Sequence, residues 1–498
     1  MITLDELSQY IAEDNHDATV IYKELVSRYQ NAVDYCVEEV DLLGVYFFDI
    51  LKFLTHTHFK IKEINKGIQP KDSFVKCRLE SWPYLGYDDL MAKTPIPKKK
   101  YGKNISVSQS FARKAMNGIA GLYGKLAHSG SPRLDVLTPM IDSKCNLWLS
   151  SHFNTGLVQL EENWFAVPSF EEQLNGVLQS IRHVMNSSNH MLDVEIATSL
   201  MESHIRANCR EGHSRVKFSG DALLLKSGVE LQNRMLASVA KKQGKPVINI
   251  MHGEAFGVYD EPIFSSFGEQ MYSSAILGYG TGVKEVGSYE YGMKESVAYF
   301  ESNGVQVSRL YKQEYKGIQS RKRQPAFYYY PTTLSGSSHR YGPFRDTADY
   351  YYIEWQKILI DLFDNSLKVK SHPKEKYQTT CLFPNAEVVS GTFDELLSEI
   401  DVFVFDYIGT AFNVACATEK PIVYFDLGIR KIHPIALEDI KERTIYFDIR
   451  DGLPSYDEIL EKLKFRSTEN RYSPKYSLSR EDNNRVRALE QGVVGLLS

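Results

Sequence analysis

Apolar positions recur every three to four residues through YKELVSRYQNAVDYCVEEVDLLGVYFFDILKFL, a pattern that predicts helix over roughly the first 60 residues. From Lys62 to Lys103 the chain turns basic, with several Pro and Tyr, and ends in TPIPKKKYGK, which reads as loop with short strands. SVSQSFARKAMNGIAGLYGKLA then has amphipathic-helix spacing and LDVLTPM reads as a strand. From about Asp193 the period alternates between two and 3.6. VKFSGDALLLKS carries a strand, VELQNRMLASVAKKQG is a helix closed by Gly244, and KPVINIMHG and SAILGYG are strands running into glycine. GSYEYGMKESVAYFESNG reads as a helix stopped at Gly304.

The polar, basic segment 317–325, GIQSRKRQP, marks a linker closed by Pro325. A second series follows: strand PAFYYYPT, helix ADYYYIEWQKILIDLFDN, strand SLKVKSHP, helix TFDELLSEI, strand DVFVFDY, helix GTAFNVACATEK and strand PIVYFD. Such alternation predicts an α/β chain with parallel sheets, because each helix returns the chain to the same end of its sheet. The expected domains are 1–316, with a helical part over 1–60 and an α/β core over about 193–310, and 325–475. The tail 476–498 has helical periodicity and is expected to pack back on the first domain.

Bulk properties narrow the function classes. The 498 residues exceed what one hydrophobic core spans, so at least two domains are required. A net charge of −5 argues against a protein that grips nucleic acid through its overall field. The six cysteines are scattered, without CxxC or zinc spacing, as expected of reduced thiols in a cytoplasmic protein. The N-terminus is acidic and polar, unlike a signal peptide, and the apolar runs contain acids and glycine, so any membrane contact is expected to be peripheral. The 31 tyrosines suit pockets that hold sugars and bases, and equally suit core and surface packing.

Parallel sheets bind ligands beyond the carboxyl ends of their strands, so the loops at those ends are the candidates. MHGEAFGVYD carries His252, Glu254 and Asp260, where a histidine can take a proton from an attacking hydroxyl or be satisfied in a plain turn. Asp221, after VKFS, is a further carboxylate. KVKSHPKEKY sets His372 beside Lys370 and Pro373, a positive turn able to stabilise a phosphate leaving group or simply to face solvent. DYIGTAFNVA opens on Asp406 and places Gly409 and Thr410 at a helix start, where free N–H groups favour an anion unless Thr410 serves only as a cap. YYYPTTLSGSSHRYG, with Tyr330, Thr332, Ser335 and Ser337, is a hydroxyl-rich loop of the sort that wraps phosphates or nucleosides. LGYGTGVKE lacks dinucleotide-fingerprint spacing, and no P-loop, nucleophile elbow, kinase set or D-x-D metal motif occurs. Metal-free chemistry is therefore expected.

In order, these segments resemble bacterial surface-polysaccharide transferases of the GT-B architecture, two Rossmann-like domains facing across a cleft. The resemblance runs over Phe218 to Asp426. INIMHGEAFG is similar to the HG segment of CDP-glycerol glycerophosphotransferases, FYYYPTT to their strand and loop, and KVKSHP to the HP motif they share with sialyl- and Kdo-transferases. DVFVFDYIGTAFNVACATEKPIVYFD is similar to their last core segment, where a Ser/Thr pair binds donor phosphate. The resemblance implies that His372 contacts the cytidylate phosphate near Gly409 and Thr410, and that the His252 loop faces the acceptor.

Two departures refine it. Gly409-Thr410 replaces the Ser/Thr pair, and the HG segment lacks the Thr-Pro-x-Lys of the glycerophosphotransferases. The implied activity is transfer of Kdo or a sialic-acid-like sugar from a CMP donor to a glycan or lipid-linked glycan in surface-polysaccharide synthesis. No cofactor is implied beyond that nucleotide-activated substrate. Alternatives are a CDP-polyol phosphotransferase, a sugar-nucleotide epimerase, and a non-catalytic scaffold.

Overall fold

The computed structural model describes residues 17, 19–29, 41–65, 133–137, 154–158, 165–225, 231–250, 258–259, 272–278, 298–301, 325–331, 349–364, 366–370, 386–391, 393–428, 432–464 and 471–476. Two six-stranded parallel sheets organise them. The first contains β1 (Arg133–Leu137), β2 (Asn154–Val158), β5 (Ala222–Leu225), β6 (Val247–Ile250), β7 (Ala275–Gly278) and β8 (Ala298–Glu301), ordered β2-β1-β5-β6-β7-β8. Two short strands, β3 (Phe165–Val167) and β4 (Cys209–Glu211), pair separately. The second contains β9 (Phe327–Tyr330), β10 (Leu367–Lys370), β11 (Glu387–Val389), β12 (Val402–Phe405), β13 (Ile422–Asp426) and β14 (Ile445–Asp448), ordered β11-β10-β9-β12-β13-β14. Counted within its own sheet, that order is 3-2-1-4-5-6, the order of dinucleotide-binding domains.

The first core is helical on one side. A helix over 19–29 (α1), α2 (Leu42–Asn65), α3 (Phe170–Ser187), α4 (Val194–Asn208) and α5 (Leu231–Lys242) bury Leu25, Tyr46, Leu51, Leu174, Ile205 and Leu236 against Leu223, Leu225 and Val247 of the sheet. Arg234 of α5 lies inside this core. Its guanidinium donates to the Val45 carbonyl (2.7 Å) and to Asp49 (2.6 Å) and packs over the Phe48 ring, which fastens α2 to α5. Asp193 caps α4 by accepting from the Ile196 N–H at 3.0 Å. Gly244 closes α5 as the pattern predicts: its φ is +68°, and Lys245 N–H reaches the Ala240 carbonyl at 2.9 Å.

The second sheet is packed on both faces, and its alternation shows in the side chains. Phe327, Tyr329, Val404 and Phe425 enter the layer under α6 (Asp349–Leu362) and α10 (Tyr456–Lys464). Tyr328, Tyr330, Phe403, Phe405 and Tyr424 enter the opposite layer, with α7 (Phe393–Leu396), α8 (Thr410–Cys416), α9 (Pro434–Arg443) and α11 (Tyr472–Tyr476). Arg443 caps the carboxyl end of α8, donating to the carbonyls of Cys416, Ala415, Thr418 and Lys420 at 2.7–3.3 Å.

Several expectations change. The first sheet starts well before the predicted core of 193–310, because β1 pairs in parallel with β5 and β2 pairs in parallel with β1. The strand read from LDVLTPM is β1, whereas NTGLV is too short and too interrupted by polar residues for periodicity to reveal it. The predicted helix ending at Gly304 is instead strand at β8, where Tyr299 and Phe300 pair with Ile276 and Leu277; its earlier part lies outside the described residues. VKFSGDALLLKS carries its strand only over Ala222–Leu225, with 216–219 irregular, and TFDELLSEI yields only one helical turn. β11, β14 and helices α9 to α11 were not anticipated. The helix predicted around 106–127, the linker 317–324 and the tail 477–498 lie outside the described residues, although α11, just before that tail, buries Tyr472 and Tyr476 in the second half. Among the described residues no helix is long and apolar enough to cross a membrane.

Candidate functional site

In the second sheet the strand order reverses between β9 and β12, and ligands of doubly wound sheets lie at the carboxyl ends beside such a reversal. The described candidates gather there. Phe405 is in register with Tyr330, and Val369 with Tyr329, so Lys370, Tyr330 and Phe405 form one row across three adjacent strands. By alternation Lys370 shares its sheet face with Lys368, whose ammonium lies over the Tyr328 ring at 5.6 Å and pairs with Glu387 at 2.8 Å. Half-buried Lys370 thus brings a cation to the end of β10.

Tyr330 ends β9 inside an aromatic group, stacked on Phe405 (5.5 Å, 25°) with Phe393 5.5 Å away. It is 9% exposed, and its hydroxyl has no hydrogen-bond partner among the described residues. Burial pushes its pKa above the ordinary tyrosine value.

Asp406 follows β12 on the other face. Its Oδ2 accepts from the Tyr329 hydroxyl and from Trp355 Nε1 at 3.0 Å, so one carboxylate oxygen is committed inward. Tyr329 and Trp355 were not predicted as site residues. The available signal was a tryptophan spaced with Leu359 and Phe363 on the apolar face of this helix, since a buried indole N–H needs an acceptor.

Gly409, not Thr410, caps α8, with extended backbone (φ −150°, ψ −170°). Its lack of a side chain matters for space, as a Cβ there would stand 3.0 Å from Tyr407 Cε1. Thr410 is the first helical residue and is exposed, so it is not a cap.

Further carboxylates end the next two strands. Asp426, closing β13, accepts from the Tyr446 hydroxyl (2.5 Å) and from Gly428 N–H (2.8 Å), and burial pushes its pKa upward. Asp448, closing β14, is held below the usual carboxylate range by its two bonds from Arg450 (2.7 and 2.5 Å). Gly428 adopts φ +64°, and a Cβ would come within 2.9 Å of Arg450, so this turn favours glycine twice over.

The chain leaving the His252 loop docks on this same edge. The Tyr259 hydroxyl accepts from Ile408 N–H at 2.8 Å, two residues after Asp406, and its ring lies 6.1 Å from that of Tyr407. His433 N–H donates to the Val258 carbonyl at 2.9 Å, and Tyr259 bridges antiparallel to Ile432. Seven residues, 251–257, separate Val258 from the carboxyl end of β6, so the loop is anchored at one end in the first sheet and at the other on the second half. His252, Glu254 and Asp260 themselves, like Thr332, Ser335, Ser337, His372 and Pro373, lie outside the described residues. Asp221 directly precedes β5 and therefore sits at the amino edge of the first sheet, opposite the edge from which the His252 loop departs. That removes it from the candidate set.

Fold and site together define a two-sheet, doubly wound α/β protein with basic, hydroxyl and carboxylate groups along the carboxyl edge of its second sheet. No family model matches the chain, and no curated protein matches it. Among solved structures it is similar to one described as the glycotransferase of kitacinnamycin, at 11% identity and a TM-score of 0.31, covering 77% of this chain and 92% of that one. The fold assignment rests on the chain's own strand order.

Proposed function

We propose that the chain is a glycosyltransferase that moves a Kdo or sialic-acid-like sugar from a CMP-linked donor to a glycan acceptor. The observation that carries this reading is the convergence of Tyr330, Lys370, Asp406, Gly409 and Thr410 on the reversal point of a 3-2-1-4-5-6 sheet, with Tyr259 tying the His252 segment to the same edge. In this reading the second half holds the nucleotide and the loop after β6 presents the acceptor.

The chemistry follows from the residue types. An acceptor hydroxyl attacks the anomeric carbon, the carbon–oxygen bond to the CMP phosphate breaks, and the phosphate leaves with the electron pair. One of His252, Glu254 and Asp260 takes the hydroxyl proton, and Lys370 with His372 offsets the growing negative charge. A base gives inversion, and a carboxylate nucleophile gives retention through a covalent adduct.

Incubation with CMP-Kdo, CMP-sialic acid and CDP-glycerol tests the reading. Release of CMP from a CMP-sugar is expected. Turnover of CDP-glycerol alone would replace it with polyol-phosphate transfer, and turnover of none would overturn it.

A further inference from the structure

A second polar side chain stands beside the reversal point, on a helix from which the sequence singled out no site residue. Gln356 of α6 is 1% exposed, and neither its Nε2 nor its Oε1 has a hydrogen-bond partner among the described residues. An unsatisfied buried donor or acceptor costs about 1–3 kcal/mol, so a side chain carrying both calls for an explanation. Its position supplies one. The neighbouring Trp355 reaches Asp406, which sets this turn of α6 level with the carboxyl end of β12. Three and four residues on, Leu359 and Ile360 lie in the apolar layer against the sheet, so Gln356 shares their helix face.

Charge divides the two faces of this edge. Lys370 is on the opposite face, while the face of α6 has the inward carboxylate of Asp406 and apolar side chains. A phosphate is disfavoured there, but a flat uncharged ring with a donor beside an acceptor fits a carboxamide. One planar group can donate and accept at once, as glutamine does with the edge of a nucleobase.

We propose that Gln356 reads the hydrogen-bonding edge of the nucleotide's base and sets which nucleotide the second half accepts, an inference that rests on the nucleotide-binding reading above. The test is calorimetric titration of the full chain and of Gln356→Met with CMP, UMP, AMP and GMP, together with a melting curve. The expected result is a loss of at least ~10-fold in affinity for the preferred nucleotide, with a melting temperature unchanged or raised because an orphaned polar group has been removed. Should Gln356→Met not fold, Gln356→Glu, which keeps the size and removes the donor, is expected to show the same loss. Equal affinity in wild type and in the folded variant would overturn the inference while leaving the nucleotide site standing. Failure of the wild type to bind any of the four would overturn the nucleotide-binding reading itself.

Discussion

The two sheets of this chain are built from similar strands, yet they are stabilised differently. The first is covered by a pile of helices whose polar contacts, such as Arg234 with Asp49, serve to hold helix to helix. The second is packed on both faces by aromatic side chains, and several of its buried polar contacts fall at one edge, where Tyr329 and Trp355 converge on Asp406 and Tyr446 on Asp426. Polar groups placed inside an apolar layer demand partners. In the first half those partners fix architecture, and in the second they fix the orientation of strand ends where a ligand would lie. The two halves therefore reach the carboxyl edge of the second sheet by different routes. Strand-end residues come from the second half, whereas the first sends a loop pinned through Tyr259.

The largest effect should come from breaking that architecture in the first half. Arg234→Ala leaves Asp49 without its buried cation and is expected to cost about 3–5 kcal/mol, read from urea unfolding. Asp406→Ala should cost slightly less, about 2–5 kcal/mol, since it strands two buried donors. Trp355 is the tryptophan of the second half, so its fluorescence should shift its midpoint for Asp406→Ala more than for Arg234→Ala. Equal shifts for both variants would mean that the halves unfold as one unit, and the contrast would dissolve.

A smaller effect is expected at the junction. Tyr259→Phe removes the hydroxyl that bonds Ile408 and should cost about 1–2 kcal/mol. The same change is expected to lower transfer to an acceptor about 10-fold or more while donor hydrolysis is retained, because it loosens the loop and spares the nucleotide edge. Loss of both activities together would place the latch in the nucleotide site rather than between the halves.

The most gradual effect, spread over several pH units, comes from His190. His190 is buried, its Nε2–H donates to the Leu54 carbonyl at 2.6 Å, and its Nδ1 accepts from Leu192 N–H, so both ring nitrogens favour the neutral tautomer. Burial lowers its pKa from 6.5 to about 4. Between those values the unfolded chain binds the proton and the folded chain does not, so stability is full above pH 6.5 and falls as pH drops toward 4. The slope is at most about 1.4 kcal/mol per pH unit from this residue. His190→Gln should flatten the fall in denaturant midpoint over this range, and an unchanged slope would assign the acid sensitivity elsewhere.

What the sequence disclosed follows from where periodicity is strong. The strands FYYY, LKVK, VFVF and IVYFD alternate or run apolar between turn residues, and all four appear where their pattern puts them. β1 was legible in LDVLTPM, β2 escaped because NTGLV neither alternates nor runs apolar, and β8 was misread because Tyr and Phe suit an amphipathic helix as well as an edge strand. Strand-end logic singled out Lys370, Tyr330 and the turn from Asp406 to Thr410, which the fold brings to one sheet edge. It could not find Trp355, Gln356 or Tyr259, whose roles depend on which buried atoms acquire partners across elements, and it placed Asp221 at the wrong edge because the strand begins after that residue rather than before it.

The proposed function requires that the carboxyl edge of the second sheet hold a cytidine nucleotide. A crystal structure of the chain soaked with CMP tests it most directly. The phosphate is expected beside Lys370 and the nucleoside across the reversal between β9 and β12. CMP bound at the first sheet, or a chain that binds no CMP at millimolar concentration, would contradict it.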